Sequence, residues 1–138
     1  MPWAESAGSA LLVFVGAGLG ACLRWALALW LNTPWAWLPW GTWLANALGA
    51  LGAGVLWWGL QVGQWSFTEA GPVQAWRLFA ITGVLGGLTT FSTFSLEVFQ
   101  VLQRGHWPQV VALLALHVLG SVALVAAGWA LARAVSGA

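Results

Sequence analysis

Long apolar runs separated by short polar stretches make up almost the whole chain. The runs cover about residues 9–31, 39–60, 75–103 and 109–134. A helix needs about 20 consecutive apolar residues to cross a hydrocarbon core of roughly 30 Å, and each run reaches that length. The pattern therefore predicts an all-α membrane protein, a single domain over residues 1–138 with four transmembrane helices.

The three connections between the runs carry residues that end helices. Asn32, Thr33 and Pro34 follow the first run, and the second run begins near Pro39, which suits the first turn of a helix. The stretch "QVGQWSFTEAGPVQ", residues 61–74, is polar and contains Gly and Pro, so we expect a loop there. The residues "RGHWP" predict a tight turn between the last two helices.

The composition excludes a water-soluble protein. Charged residues make up 5% of the chain and hydrophobic residues 61%. Soluble domains carry roughly 25% charged residues, because their surface must face water. The surface of this chain therefore faces lipid, and its formal net charge of +1 is too small to suggest binding to nucleic acid.

Arginines are nearly balanced between the two sides of the membrane. With a cytoplasmic amino terminus, Arg77 and Arg133 lie inside and Arg104 lies outside, while Arg24 lies within or near the edge of the first span. Orientation follows the excess of Lys and Arg in short loops, and this chain contains no Lys. Because the excess is so small, we expect the chain to insert both ways, which would permit an antiparallel homodimer.

Small residues recur at spacings typical of closely packed membrane helices. Gly16 and Gly20 are four residues apart in the first span, as are Gly49 and Ala53 in the second. In lipid, helices associate mainly where small residues let their backbones approach closely. We expect these positions to be helix contacts.

The third run contains a weak point near its middle. In "GVLGGLTTFSTFSLE", Gly83, Gly86 and Gly87 precede Thr89 and Thr90. Gly in a helix interior costs about 1 kcal/mol relative to Ala, and Thr hydroxyls compete for backbone groups. We expect a broken helix, which is tolerated at membrane depth only where protein, water or an ion replaces the lost hydrogen bonds. Freed carbonyls would suit a monovalent cation such as Na⁺.

Aromatic and hydroxyl side chains follow the weak point. Phe91 and Phe94 share one helix face, Ser92 and Ser95 share a neighbouring face, and Thr93 lies between them. Ring edges are positive and hydroxyls donate hydrogen bonds, so this cluster suits an anion. A single Ser or Thr would more often bond to its own helix, but the whole cluster beside a glycine break favours a site.

Polar residues in the other spans extend the candidate site. Asn46 lies near the middle of the second span and has two N–H donors, although it could equally link two helices. Arg24 is the only charge in the first span, where it would snorkel to an interface or line an aqueous vestibule. Glu97 would lie in a similar vestibule. His117 and Ser121 share a face of the fourth span, where a lone His is more often packed than functional.

Three segments resemble the motifs of the Fluc (CrcB-like) family of fluoride channels. They are "GLGACLRW" in the first span, "PWGTWLANALGALGAG" in the second and, most specifically, "GVLGGLTTFSTFSLE" in the third. The resemblance covers nearly the whole chain. It implies an antiparallel, dual-topology homodimer in the cell inner membrane, with two fluoride pathways and a structural Na⁺ that is not transported. Its implied function is passive export of fluoride from the cytoplasm.

The resemblance also implies roles for individual residues. The backbone carbonyls of Gly86 and Thr89 would hold the Na⁺. The fluoride pathway would include Phe91 and Phe94 as pore-lining rings, Ser92 and Thr93 as polar groups, Asn46 as a donor toward fluoride and Ser121 in the fourth span, with Arg24 at a vestibule. Family members often carry Tyr four residues before that Ser, and here the position is His117, whose role the resemblance leaves open.

Two other membrane functions fit part of the pattern. A small multidrug-resistance type proton-coupled exporter also has four short helices, but its mechanism needs a carboxylate in the first span, where this chain has Arg24. A non-conducting accessory subunit would bind partner helices through its small-residue faces, which leaves the aromatic and hydroxyl cluster unexplained. An enzyme is not expected, because the sequence offers no nucleophile–base pair and no cluster of metal ligands.

Overall fold

The described part of the chain is helical, with short turns between the helices. The computed structural model describes residues 2–34, 36–61 and 72–137. Within them, three stretches are long and apolar enough to cross a membrane, namely Ala7–Leu31, Gln74–Gln103 and Trp107–Val135. The remaining helix, Trp40–Gln61, has 22 residues, which is close to the length that a membrane span needs.

The first two helices are joined through one asparagine. Helix α1, Pro2–Leu31, begins earlier than the predicted start near Ser9, because Pro2 suits a first helical turn. Asn32 comes next, and its Oδ1 accepts a hydrogen bond of 2.7 Å from the backbone N–H of Gly41. Since Gly41 lies in the first turn of α2, Trp40–Gln61, this bond satisfies a donor that the helix itself leaves unpaired.

The third span consists of several helical segments and one short extended segment. Helix α3, Pro72–Arg77, continues through a π-helical segment, Leu78–Leu85, into α4, Gly86–Leu88. Thr89 and Thr90 then have extended backbone, with ψ angles of 151° and 120°, and α5 runs over Phe91–Gln103. The predicted loop over 61–74 lies largely outside the described residues.

The glycines of the third span are helical, so they are not the extended residues. A Cβ at Gly87 would overlap the backbone of Ala17, and a Cβ at Gly83 would lie 2.8 Å from the Cα of Gly16. The expected close packing at Gly16 and Gly20 is confirmed, since a Cβ at Gly20 would overlap the carbonyl of Val84. These glycines therefore let α1 and the third span touch backbone to backbone, while the extended residues are the two threonines that follow.

The last two spans are joined by the predicted tight turn. The N–H of Gly105 donates to the carbonyl of Leu102 at 2.9 Å, and the N–H of His106 donates to that of Val101 at 3.3 Å. This Schellman arrangement needs a left-handed residue after the helix, and Gly105 has φ of 72°. The fourth span follows as α6, Trp107–Leu114, a second π-helical segment, Ala115–Leu119, and α7, Gly120–Val135.

The helices pack as two close pairs around a small apolar core. Helix α1 lies along the third span, and α2 lies along α7, where Gly54 and Gly128 leave no room for a Cβ against the partner backbone. The core lies between α5, α6 and the first connection, and consists of Leu38, Phe94, Val101, Val110 and Leu113. Phe94 belongs both to this core and to the site described next.

Candidate functional site

The extended segment of the third span is held by a side chain from α2. The N–H of Thr90 donates to Oδ1 of Asn46 at 2.7 Å, and Nδ2 of Asn46 donates to the carbonyl of Thr90 at 3.1 Å. The amide of Asn46 thus pairs with both backbone polar groups of one residue. An amide nitrogen has two N–H groups, so one remains for another partner.

This pairing frees carbonyl groups of the third span. In an uninterrupted helix the N–H of Thr90 would donate to the carbonyl of Gly86, but here it donates to Asn46. The N–H of Thr93 similarly donates to Oγ1 of Thr90 at 3.1 Å, whereas a continuous helix would direct it to the carbonyl of Thr89. The carbonyls of Gly86 and Thr89 therefore lose their helical donors.

Arg24 contacts the same region from α1. Its Nε donates to the carbonyl of Gly87 at 3.2 Å, close to the carboxyl end of α4. A cation is favoured there by the partial negative charge of the terminal carbonyls. The side chain predicted to lie at a vestibule is thus bound to backbone near the middle of the third span.

The hydroxyl side chains are mostly engaged with one another or with their own helix. Oγ1 of Thr90 caps α5 and also lies 3.0 Å from Oγ1 of Thr93 and 3.3 Å from Oγ of Ser92. Oγ1 of Thr89 donates to the carbonyl of Leu85 at 3.0 Å, and Oγ of Ser95 donates to that of Phe91 at 2.8 Å. For Ser95 this is the purely local bond that Ser commonly makes inside a helix.

The two phenyl rings lie together but differ in exposure. Their centroids are 5.8 Å apart, with planes inclined at 61°. Phe94 is 5% exposed and Phe91 is 78% exposed. His117 covers one face of Phe94, at a centroid distance of 4.4 Å and an angle of 27°.

These groups surround a cavity of about 350 Å³. Its polar lining consists of Asn46, Thr89, Thr90, His117 and Ser121, and its aromatic lining of Phe91 and Phe94. The other lining residues are small or aliphatic, and no Asp, Glu, Lys or Arg is among them. Of the residues predicted for the pathway, Asn46, Phe91, Phe94 and Ser121 line this cavity, whereas Ser92 and Thr93 do not.

A second polar network begins at Thr42, one helical turn before Asn46 on α2. Thr42 is 2% exposed, and its Oγ1 donates to Oε1 of Glu97 at 2.6 Å while accepting from Nδ2 of Asn32 at 3.1 Å. Oε2 of Glu97 is buried and has no hydrogen-bond partner among the described residues. Sequence reasoning missed Thr42, although its position four residues before Asn46 places both on one face of α2.

Comparison with known proteins identifies the family. A family model described as "CrcB-like protein, Camphor Resistance (CrcB)" matches residues 11–129. The chain belongs to the CrcB-like family. Most of this CrcB-like chain, including every residue of the cavity, lies within the match.

Individual relatives are similar over nearly their whole length. A protein of Marinobacter nauticus is 46% identical over 122 residues, which cover 88% of this chain and 91% of the relative. A protein of Burkholderia cenocepacia is 48% identical over 127 residues, covering 91% and 94% respectively. Both relatives are named "Fluoride-specific ion channel FluC". With its apolar helices, this CrcB-like chain is a multi-pass membrane protein.

Proposed function

We propose that this protein is a fluoride-selective channel that lets fluoride leave the cytoplasm passively across the cell inner membrane. The observation that carries the proposal is the cavity at the extended segment, which is lined by hydrogen-bonding groups and phenyl rings but by no charged side chain. The names of the relatives support the same activity, since they describe a channel and not an enzyme or an exporter.

The polar lining suits an anion that must leave water. Moving a small ion into a medium of low dielectric constant costs tens of kcal/mol by Born solvation, so a pathway must replace the lost hydration. The second N–H of Asn46 and the hydroxyl of Ser121 supply uncharged donors at the cavity. Because neither group is charged, fluoride is held weakly enough to leave again, as conduction requires.

The phenyl rings add a second kind of contact to the pathway. A ring is negative on its face and positive at its edge, so an anion is favoured only at the edge. His117 occupies one face of Phe94, which leaves the edge of this buried ring as a surface for fluoride. Phe91, highly exposed beside it, extends the lining outward.

A structural Na⁺ fits the freed carbonyls of the third span. Peptide oxygens are hard ligands of the kind that coordinate Na⁺ in interrupted membrane helices. Gly86 and Thr89 supply two such carbonyls, because their helical donors bind to Asn46 and to Thr90 instead. A cation bound there would attract fluoride into the region without being transported. Gly86 is exposed, so further ligands can reach a cation at its carbonyl.

The proposed functional unit is an antiparallel homodimer in which the two copies insert with opposite orientations. A second copy would cover the exposed side of the third span, where Gly86 and Phe91 lie. Its carbonyls would complete a cation site that two ligands alone leave incomplete. The weak arginine asymmetry of the chain is compatible with both orientations.

Fluoride efflux from liposomes tests the proposed function. Purified protein is reconstituted into liposomes that contain fluoride. An ionophore for the counter-ion prevents a membrane potential from opposing efflux, and external fluoride is followed with an ion-selective electrode. We expect fluoride efflux and no chloride efflux. Substitution Phe94→Ile should reduce fluoride efflux at least about tenfold, which corresponds to about 1.4 kcal/mol, because an aliphatic side chain has no positive edge.

Phe99→Ile is the matched control, because Phe99 lies on the same helix, is 53% exposed and does not line the cavity. This variant should conduct like the unmodified protein. Absence of fluoride efflux from the unmodified protein would contradict the proposed channel function. Equal efflux from the Phe94→Ile and Phe99→Ile variants would contradict the pathway assignment alone.

A further inference from the structure

His117 is a buried titratable residue that the proposed pathway does not explain. It is 7% exposed and lies in the π-helical segment Ala115–Leu119, where it lines the cavity. Short π-helical segments inside α-helices are often found at functional sites. The position and burial of this imidazole raise the question of what its two nitrogens bind.

One nitrogen has a partner that determines the tautomer. Nδ1 lies 3.2 Å from the carbonyl oxygen of Leu113, one turn earlier in the helix. A carbonyl can only accept, so Nδ1 carries the hydrogen. In the neutral ring, Nε2 is then an acceptor, and this atom is buried without a hydrogen-bond partner in the described part of the chain.

A bare acceptor is unsuitable beside fluoride. Its lone pair would face the lone pairs of the anion, and both would remain without donors. If Nε2 binds a proton, the same atom becomes a charged donor, and hydrogen bonds from a charged donor are stronger than those between neutral groups. The presence of fluoride in the cavity therefore favours the protonated ring.

The ring beneath His117 tolerates the positive charge. The imidazole lies nearly parallel to Phe94, at 4.4 Å between centroids and 27° between planes. A cation over the face of a phenyl ring is attracted by its negative quadrupole. The stack therefore holds His117 in place in either protonation state.

Among the described residues that line the cavity, none has a carboxylate that could neutralise this charge. Helix α2 contains no ionisable residue, and on α5 the carboxylate of Glu97 is bound to Thr42 outside the cavity lining. On α1, Arg24 is bound to the carbonyl of Gly87, and on α7 the guanidinium of Arg133 lies over Trp129. Within the cavity, the group that can balance the charge of a protonated His117 is then the anion that occupies it.

We propose that His117 makes fluoride binding proton-linked. This inference rests on the proposed function. A hydronium ion of the bulk solution gives its proton to Nε2 and leaves water, so that the imidazole becomes imidazolium. The new N–H then donates to a fluoride ion that has entered the cavity, and the two charges balance. Since linkage is reciprocal, protons strengthen fluoride binding by the same factor by which fluoride strengthens protonation.

The pH dependence of fluoride efflux tests the linkage. Efflux is measured from about pH 8 to about pH 5, and efflux from protein-free liposomes is subtracted to correct for hydrogen fluoride that permeates the lipid. Efflux at a low, subsaturating fluoride concentration should rise about fivefold or more toward the acid end, the lower limit of usual couplings between two ligands. In His117→Gln, which keeps an amide donor but does not titrate, the rise should be lost.

The chain offers a matched control, because it contains only two His residues. His106 lies exposed in the turn after α5, away from the cavity lining, so His106→Gln should keep the pH dependence of the unmodified protein. A flat pH profile in the unmodified protein would overturn the proposal. So would a pH dependence that persists in His117→Gln.

A binding measurement tests whether fluoride binding is linked to protonation of His117, and it requires neither flux nor a substitution of His117. In the His106→Gln protein, the imidazole C–H resonances of the remaining His report its protonated fraction by NMR at a fixed pH. Adding sodium fluoride should raise that fraction, whereas adding sodium chloride should not. No response to fluoride overturns the linkage. If no variant conducts fluoride at any pH, the proposed function fails, and this measurement alone then supports or overturns proton-linked binding.

Discussion

At the scale of single residues, Asn46 determines which backbone groups of the third span are available. Its amide binds both the N–H and the carbonyl of Thr90, and this leaves the carbonyl of Gly86 without its helical donor. The sequence indicated that an amide in the middle of a span needs partners. It could not show that the partner is a peptide group 44 residues later, because that pairing depends on how α2 packs against the third span.

Substituting Asn46→Asp tests this double role. The carboxylate keeps an acceptor for the N–H of Thr90 but places a second oxygen against its carbonyl, and it removes the donor that faces the cavity. We expect fluoride efflux to fall at least about tenfold, and the free energy of unfolding to fall by about 1–3 kcal/mol, the cost of leaving a buried polar group unsatisfied. Efflux measurements and thermal unfolding in detergent are the two readouts.

The two readouts separate the two roles of the amide. Loss of efflux with unchanged stability would show that only the donor toward the anion matters. Unchanged efflux in Asn46→Asp would contradict the pathway role of Asn46, and unchanged stability would contradict the importance of its pairing with Thr90.

At the scale of helices, the positions of the small residues could be predicted better than the position of the interruption. The spacing of Gly16 and Gly20 predicted a close helix contact, and the structure confirms it. The glycines of the third span also looked like weak points, because Gly disfavours helix in isolation. In the packed protein Gly83 and Gly87 instead touch α1, since tertiary contacts override this intrinsic preference.

A pair of substitutions on α1 tests the close contact. A Cβ at Gly20 would overlap the carbonyl of Val84, so Gly20→Ala should destabilise the fold by roughly 1–3 kcal/mol, as overpacked sites do. Gly18, two residues away on the same helix, has open space around its Cα, so Gly18→Ala should be neutral or stabilise by up to about 1 kcal/mol. Thermal unfolding in detergent distinguishes the two, and equal effects would argue against backbone contact at Gly20.

At the scale of the whole molecule, the sequence predicted four helices and their order, because length and hydropathy decide both. It could not decide whether Arg24 counts toward orientation, since that depends on its depth. In the structure Arg24 is bound to Gly87 near the middle of the third span, so it does not belong to a loop. The arginines near the ends of the spans are then Arg77, at the start of the third span, and Arg133, at the end of the fourth, on one side, and Arg104, in the turn after α5, on the other.

This small asymmetry predicts insertion in both orientations. A Cys22→Ser/His106→Cys protein carries one cysteine, in the exposed turn after α5, and a membrane-impermeant thiol reagent applied to intact cells reports which side that turn occupies. We expect labelling of about half of the molecules, because an excess of one arginine directs insertion only weakly. Complete labelling, or none, would contradict dual topology.

Adding Arg104→Gln to the labelled protein provides the matched control. It removes the only arginine from the end of the molecule that carries the turn, so the opposite end, which carries Arg77 and Arg133, should stay in the cytoplasm. The labelled fraction should then rise well above half. An unchanged fraction would show that loop charge does not set the orientation of this chain.

The pairing of Asn46 with Thr90 also limits what the third span can do alone. Asn46 completes the hydrogen bonding of Thr90 much as a neighbouring β-strand would, from a different helix. Grafted into a helical hairpin that lacks this amide, residues 81–100 would find no substitute in hydrocarbon, and the least costly arrangement would be a continuous helix. The most recognisable segment of the sequence therefore depends on α2 for its conformation. A transplanted copy would retain its hydroxyls and rings but not the freed carbonyls of the proposed cation site.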